Sequence, residues 1–337
     1  MKAATKRWLR FAVIVPLVCL AIAAGLLTYY AYHPLGIQQS PLQFSLKAGS
    51  SLKGAARQMA NAGVLAEPTP FVLLARILGA SSRIKAGNYE IQAPITPLGL
   101  LRKITEGDYT QDVITLLEGW TFQQVRKALD EHAAIRHDST GLSNAEILAR
   151  LDIAENSPEG WFFPDTYHFS RGSSDLAILR RAHRLMQATL ADQWERRTPG
   201  LPLAKPYDAL ILASIIEKET GQSAERRLIA AVFINRLRVG MRLQTDPSVI
   251  YGMGASFDGN LRKRDLVADT PYNTYIHAGL PPTPIATPGL ASLNAALNPA
   301  QSDALYFVSR GDGTSHFSRT RVEHDRAVLK YQRSGRR

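Results

Sequence analysis

Cysteine is almost absent from this sequence. Cys19 is the only one among 337 residues, which excludes an intrachain disulfide and a cysteine metal cluster. Walker loops, nucleophile elbows and HExxH helices are also missing. The eight histidines are scattered, and none pairs at metal-ligand spacing. The sequence therefore implies no metal and no cofactor. Negative charge is in deficit: 40 Lys and Arg stand against 29 Asp and Glu, a net charge of +11. That balance suits nucleic acid, anionic lipid or an acidic polymer. Zinc-finger spacing and RNA-binding aromatic motifs are lacking, which argues against nucleic acid. The basic residues cluster at Arg180-Arg181, Arg196-Arg197, Arg262-Lys263-Arg264 and Arg336-Arg337.

What is present begins with a long apolar run. Phe11 to Tyr32 carries no charged side chain and is long enough to span a bilayer as a helix. Lys2, Lys6, Arg7 and Arg10 precede it, and Trp8, Tyr29, Tyr30 and Tyr32 sit near its ends, where aromatic rings favour the membrane interface. The positive-inside rule puts Met1 in the cytoplasm and everything after His33 outside. A cleaved signal peptide is the competing reading, but the run is longer than a signal core and lacks a clean small-x-small cleavage site. The expectation is an uncleaved single-pass anchor: cytoplasmic residues 1–10, transmembrane helix 11–32 and linker 33–42.

Beyond the linker, strand, cap and helix recur three times. Gln43–Leu46 reads as a strand before a helix over 52–62, and Asn88–Ile91 as a strand before a helix over 98–105. Thr96 is the cap of that helix and Pro97 its first residue. Val113–Leu117 reads as a strand, Glu118–Thr121 as a turn and cap, and Phe122–His132 as a helix. A further helix covers 70–78. These repeats predict a small α+β module over 43–108 and a larger mixed α+β domain over 109–337, an α+β fold class overall.

The larger domain is organised around Tyr207 to Thr245. Residues 207–219 form a helix that is apolar nearly all round and hence buried, stopped by Thr220-Gly221. Ser223 is the expected cap of a second helix running to Val239. Glu217 and Glu219 fall in the last turn of the first helix. A carboxylate there opposes the helix dipole and is poorly solvated, two effects that raise a carboxyl pKa and suit a general acid. The two point to nearly opposite sides, so only one faces a given cleft. The bland reading is a pair of solvated residues on a frayed helix end. Asn235, on the apolar stripe of the second helix, is either a satisfied core amide or a cleft residue.

Other segments carry weaker signals. EGWFFPDTYHF (Glu159–Phe169) reads either as a buried strand and turn or as the wall of a sugar cleft. A basic amphipathic helix follows from the Ser173–Asp175 cap to Trp194. Met241–Asp246 reads as a short strand and Pro247–Gly252 as a helix. Residues 253–270 read as a polar loop beside a cleft, and Gly279–Ile285 as a proline-stiffened loop. Pro288–Leu297 is a helix, Ala304–Ser309 and His316–Ser318 a closing hairpin, and Arg321–Gln332 a final helix.

With metal and nucleophile motifs lacking, a carboxylate acid/base site remains, and glycoside cleavage is its natural class. Two carboxyl groups are usual there. Glu217 stands out, with Asp246 as the alternative partner. One acid suffices when a substrate hydroxyl is the nucleophile.

The motifs EGWFFPDTYHF, LASIIEKET, ERRLIAAVFINRLRVGMRLQTDPSVIYG, YNTYIHAGLPPTPIATPG and ALYFVSRGDGTSHFSRTRVEHD together resemble the YceG-like endolytic murein transglycosylases, across nearly the whole chain. Thr283 departs from the glycine common in that family's proline loop, and Glu323-His324-Asp325 from its EHN. The resemblance implies an inner-membrane anchor, a LysM-like module and a catalytic domain facing the cell wall. It implies cleavage between N-acetylmuramic acid and N-acetylglucosamine inside nascent glycan strands, leaving 1,6-anhydro ends, beside peptidoglycan synthases. The catalytic glutamate, the first Glu of EKET, falls on Glu217. By analogy Gln244, Thr245, Asp246, Tyr272, Asn273 and Tyr275 are substrate-binding candidates, although Thr245 and Asp246 also read as helix caps and the tyrosines as packing. A hydrolytic muramidase using Glu217 and Asp246, and a non-catalytic wall-binding scaffold, are the alternatives.

Overall fold

The computed structural model describes residues 2–37, 40–47, 49–107 and 112–333. Gln38 and Gln39 of the linker, the 108/109 boundary and the Arg336-Arg337 pair lie outside these residues. The chain is mixed α+β and divides into two units, one of residues up to Asp112 with His168–Arg171, the other of Val113–Tyr167 with Gly172 onward.

In the first unit, α1 (Lys2–Tyr32) holds one stretch, Ile14–Tyr32, long and apolar enough to cross a membrane. Its last turn belongs to the core of the module: Ala31 is buried there, with Leu27 and Tyr30 packed alongside. β1 (Leu42–Leu46) pairs antiparallel with β2 (Gly87–Ile91). The register sets Phe44 opposite Tyr89, whose rings stack at 5.4 Å. Between the strands lie α2 (Leu52–Asn61) and α3 (Pro68–Ile77), and α4 (Pro97–Glu106) follows. Ser51 and Thr96 cap α2 and α4 by accepting from Gly54 N and Gly99 N. On α2 the buried residues are Leu52, Ala55, Ala56 and Met59, one helical face turned to the core.

The second unit opens with β3 (Asp112–Thr115), α5 (Phe122–Asp130), β4 (Ile135–Arg136) and α6 (Asn144–Arg150). Reciprocal capping boxes start both helices, Thr121 with Gln124 and Ser143 with Glu146. β5 (Thr166–Phe169), whose last two residues are counted with the first unit, and β6 (Ser173–Ser174) follow, and β6 runs parallel to β4. Then come α7 (Asp175–Glu195), α8 (Pro206–Glu219), α9 (Arg226–Arg238), α10 (Asp246–Met253) and α11 (Leu290–Leu297). The hairpin of β7 (Tyr306–Ser309) and β8 (Ser315–Ser318) and α12 (Arg321–Val328) close the unit.

α8 is the axis of this unit. Ala209 through Ile216 are all buried, and α7, α9, α10 and α11 pack around them. Each fully buried Leu or Ile contributes about 1.5–3 kcal/mol. Ser214, polar and inside, is satisfied: its hydroxyl donates to Ile211 O and accepts from Ile285 N, pinning the proline loop to the helix.

Several expectations need correction. Met241–Asp246 is not a strand. Gln244 has a left-handed φ of 49°, its N–H donates to Thr274 O, and Thr245 N–H goes to the Thr274 hydroxyl. These bonds go to a turn, so no ladder forms. The second central helix starts at Arg226, after a turn over 223–225, and Ser223 does not cap it. Glu225, at the boundary, accepts from Ser315 N instead. α11 starts at Leu290 behind Gly289, and the last helix turns π-helical over Leu329–Arg333. The aromatic segment is packing, with Trp161, Phe162, Tyr167 and Phe169 buried. Asn235 is a satisfied amide, donating to Ser302 O and Ala304 O.

Gly160 locks that aromatic segment against the proline loop. Its φ is +81°, and a Cβ there would lie 2.6 Å from Pro284 Cβ. Gly160→Ala is expected to cost about 2–4 kcal/mol, measured by urea unfolding. Gly200→Ala, with φ +75° but open space around it, should cost only about 1–2 kcal/mol. Equal losses would show that the Pro284 contact does not matter.

Candidate active site

The end of α8 delivers two carboxyl groups to two different places. Residues two apart on a helix lie about 200° apart, and Glu217 and Glu219 have no partner in common. Glu217 is enclosed, its side chain 7% exposed. Its Oε2 accepts from Gly289 N at 2.9 Å, the amide at the N-terminus of α11, where the helix dipole favours an anion. Nη2 of Arg226, from the first turn of α9, lies 3.7 Å from Oε1. The Arg226 Nε is buried with no hydrogen-bond partner.

Glu118 completes this cluster, and sequence reasoning missed it by treating it as a turn residue. Its carboxyl fills the space that a Cβ on Gly289 would take. Burial pushes the Glu118 carboxyl above its ordinary range, the charge of Glu217 pushes it further, and Arg226 opposes both. The Glu118–Trp120 turn is held tightly. Gly119 N donates to Thr287 O at 2.8 Å, Thr287 N to Trp120 O at 2.7 Å, and Lys218 Nζ to Gly119 O at 3.2 Å.

Glu219 faces the opposite side, toward Thr245, Asp246 and Arg236. Burial pushes its carboxyl up to about 7, and Asp246 adds to the rise, while the hydroxyl of Thr245, which donates to Oε2 at 3.1 Å, and Arg236 lower it. Arg236 is buried and tied to Leu305 O and Leu243 O. The exposed Asp246 accepts from Tyr275 OH. Thr245 is buried, so its side chain serves Glu219. Asn273 is fully buried, and its amide braces the 265–268 loop by donating to Leu266 O and Ala268 O. Gln244 is exposed. None of these six candidates hydrogen-bonds or ion-pairs with Glu217.

Tyr272 lies elsewhere, in a groove of about 1490 Å³ lined also by Phe122, Arg126, Glu159, Tyr251 and Lys218, the neighbour of Glu217. Its hydroxyl meets that of Thr283 at 2.9 Å, so the threonine in the proline loop braces this wall residue from behind. Tyr251 packs edge-on against Tyr272, 4.8 Å between centroids. Glu159 was legible only as part of an aromatic segment. It is 4% exposed, accepts from Phe122 N and Tyr251 OH, and is pushed by burial up to about 7. Such a groove, with ring faces and a few fixed polar groups, suits a saccharide chain.

Among the described residues, Asp130, His137 and Asp175 come within metal-ligand reach of one another. Both Asp175 oxygens are already used, accepting from Asp138 N, Ser139 N, Ser139 Oγ and Leu176 N. This cluster serves as a loop clamp.

The two raised carboxyls make stability depend on pH. Glu159 and Glu219 each hold a proton more tightly when folded, at about 7, than the ordinary 4.5. Their contribution is therefore fully present below pH 4.5 and is lost as the pH rises through 7. Glu219→Gln, which keeps the bond to Thr245, should remove about 1–3 kcal/mol of the stability loss between pH 5 and pH 8. Urea unfolding of wild type and variant at both pH values checks this; parallel pH dependences would refute it.

The chain is similar to known proteins along most of its length. A family model described as the YceG-like family matches residues 44–330. The chain is 30% identical over 323 residues to the endolytic murein transglycosylase of Bacillus subtilis strain 168, covering 87% of this chain and 85% of that one. It is 26% identical over 320 residues to the endolytic murein transglycosylase of Streptococcus pneumoniae strain D39, covering 85% of this chain but 57% of the longer relative. The crystal structure of a YceG-like protein from Listeria monocytogenes matches with a TM-score of 0.53 at 28% identity, over 85% of this chain and 98% of that one. The matched span contains α8, the groove and every candidate residue above, and by it this chain belongs to the YceG-like family.

Proposed function

We propose that this chain is a membrane-anchored endolytic transglycosylase of peptidoglycan. It cleaves the bond between N-acetylmuramic acid and N-acetylglucosamine within nascent strands and leaves a 1,6-anhydro end. The observation that carries this reading is Glu217: an enclosed carboxyl at the end of a buried helix, next to Lys218, which lines a groove together with Phe122, Tyr251 and Tyr272. Family membership supports it, because the relatives from B. subtilis and S. pneumoniae are named endolytic murein transglycosylases.

In this mechanism Glu217 gives its proton to the glycosidic oxygen as the C1–O bond breaks. The C6 hydroxyl of the muramic residue attacks C1, and its proton returns to Glu217. No water is consumed and the carboxyl is regenerated. Gly289 N–H and Arg226 stabilise the carboxylate between the two transfers. Asp246, the partner a hydrolytic muramidase would need, accepts from Tyr275 OH and lies on the Glu219 side of α8, which favours the lyase.

The remaining parts follow the same reading. The apolar helix of residues 11–32 holds the chain in the inner membrane with its N-terminus cytoplasmic and the catalytic domain periplasmic. The 43–108 module is LysM-like and adds glycan affinity. The net charge of +11 suits the carboxylates of stem peptides and anionic lipid, and peptidoglycan synthases supply the strands on which it acts.

Glu217→Gln is expected to lower cleavage of uncrosslinked glycan polymer by about 10²–10⁴-fold with unchanged melting. Wild type should release internal fragments with anhydro ends, one water lighter than reducing ends by mass spectrometry. Reducing ends would replace the lyase by the hydrolase. Unimpaired cleavage by the variant would remove Glu217 from the mechanism. A wall-binding protein that cleaves nothing would be a scaffold.

A further inference from the structure

We propose that Glu118 is a second functional carboxyl of this site, a positioning residue that forms a coupled pair with Glu217, so that the pair keeps one proton until the leaving group takes it. This rests on Glu217 being the acid. The geometry is that of a shared cradle. Glu217 takes the N–H of Gly289, and Glu118 lies against the side of Gly289 that has no Cβ. Glycine is needed there for contact, since its φ of −80° suits any residue.

The ionisable groups around this cradle are few. α8 supplies Glu217 and Lys218, α9 supplies Arg226, and the turn supplies Glu118. α11, LASLNAAL, has no ionisable residue. The Nζ of Lys218 is engaged by Gly119 O. Two carboxyls thus share one guanidinium and one helix N-terminus. Like charges this close disfavour double ionisation, so the pair titrates as a unit. The raised Glu118 carboxyl, with Glu217 among its causes, is consistent with that coupling.

Three backbone-anchored bonds fix the turn beside α8, so the spacing of the two carboxyls does not depend on a mobile loop. Glu118 itself is exposed. A bound glycan would cover it and exclude water, which strengthens the coupling at the moment of proton transfer. After transfer, both carboxylates face the positive charge developing at C1. A merely structural carboxyl would instead only favour the N-terminus of α11.

Glu118→Gln separates the two, because it keeps the shape and removes the charge. In the full-length chain in detergent, acting on uncrosslinked glycan polymer, the alkaline limb of the pH–rate profile should move down by about one pH unit. Cleavage at pH 8 should fall about tenfold while melting stays unchanged, and Glu118→Asp should restore part of the shift. Gly289→Ala, which displaces the carboxyl without altering its charge, should move the limb the same way if Glu118→Gln fails to fold. An unmoved limb in a folded variant, or a fall in melting alone, overturns the proposal. Glu217→Gln is run alongside. If it cleaves, the acid assignment fails; if it is inert while Glu118→Gln keeps the wild-type limb, only the role of Glu118 fails.

Discussion

The complete burial of α8 is the constraint on which the second unit depends. A helix with eight consecutive buried residues has no solvent face along its middle, so it meets water only at its two ends, and the carboxyls lie at the C-terminal one. The helix C-terminus brings its own partial negative charge to that place, and the two glutamates there must find compensation nearby. Glu217 finds it in the amide of Gly289 and in Arg226. Glu219 finds less and is held at a raised pKa. One helix end thereby places two carboxyls among different partners.

The surroundings are built to hold those positions. The proline loop is pinned to α8 through Ser214 and Ile285, and presses on Gly160 at its other side. The 118–120 turn is fixed between Thr287 and Lys218. Prolines cannot contribute N–H groups, so this loop is ordered by side-chain and tertiary bonds. The rigidity suits a reaction whose outcome depends on where a proton sits.

Much of the fold was legible from local chemistry. Thr96 and Thr121 each start a helix by capping, as read from the sequence, and Ser51 and Ser143 do the same. The burial of α8 followed from its unbroken apolar run. Local rules failed where tertiary bonds outweighed them. The 241–246 segment alternates like a strand, but Thr274 takes its hydrogen bonds and Gln244 turns left-handed. Ser223 looks like a cap, but Glu225 is drawn to Ser315 and the helix starts later. Asn273 and Thr245 look like ligand-binding residues, yet their side chains are used inside the protein.

The sequence by itself determined the apolar N-terminal segment, the mixed α+β character, the buried central helix and the place of Glu217 at its end, because periodicity, capping and charge act over a few neighbouring residues. Only the tertiary structure decided which groups Glu217 meets. Gly289 lies 72 residues away, and Arg226 and Glu118 reach the same point from another helix and a turn. Electrostatic coupling depends on distance in space, and distances of that kind are set by how the helices pack around α8, which no local pattern records.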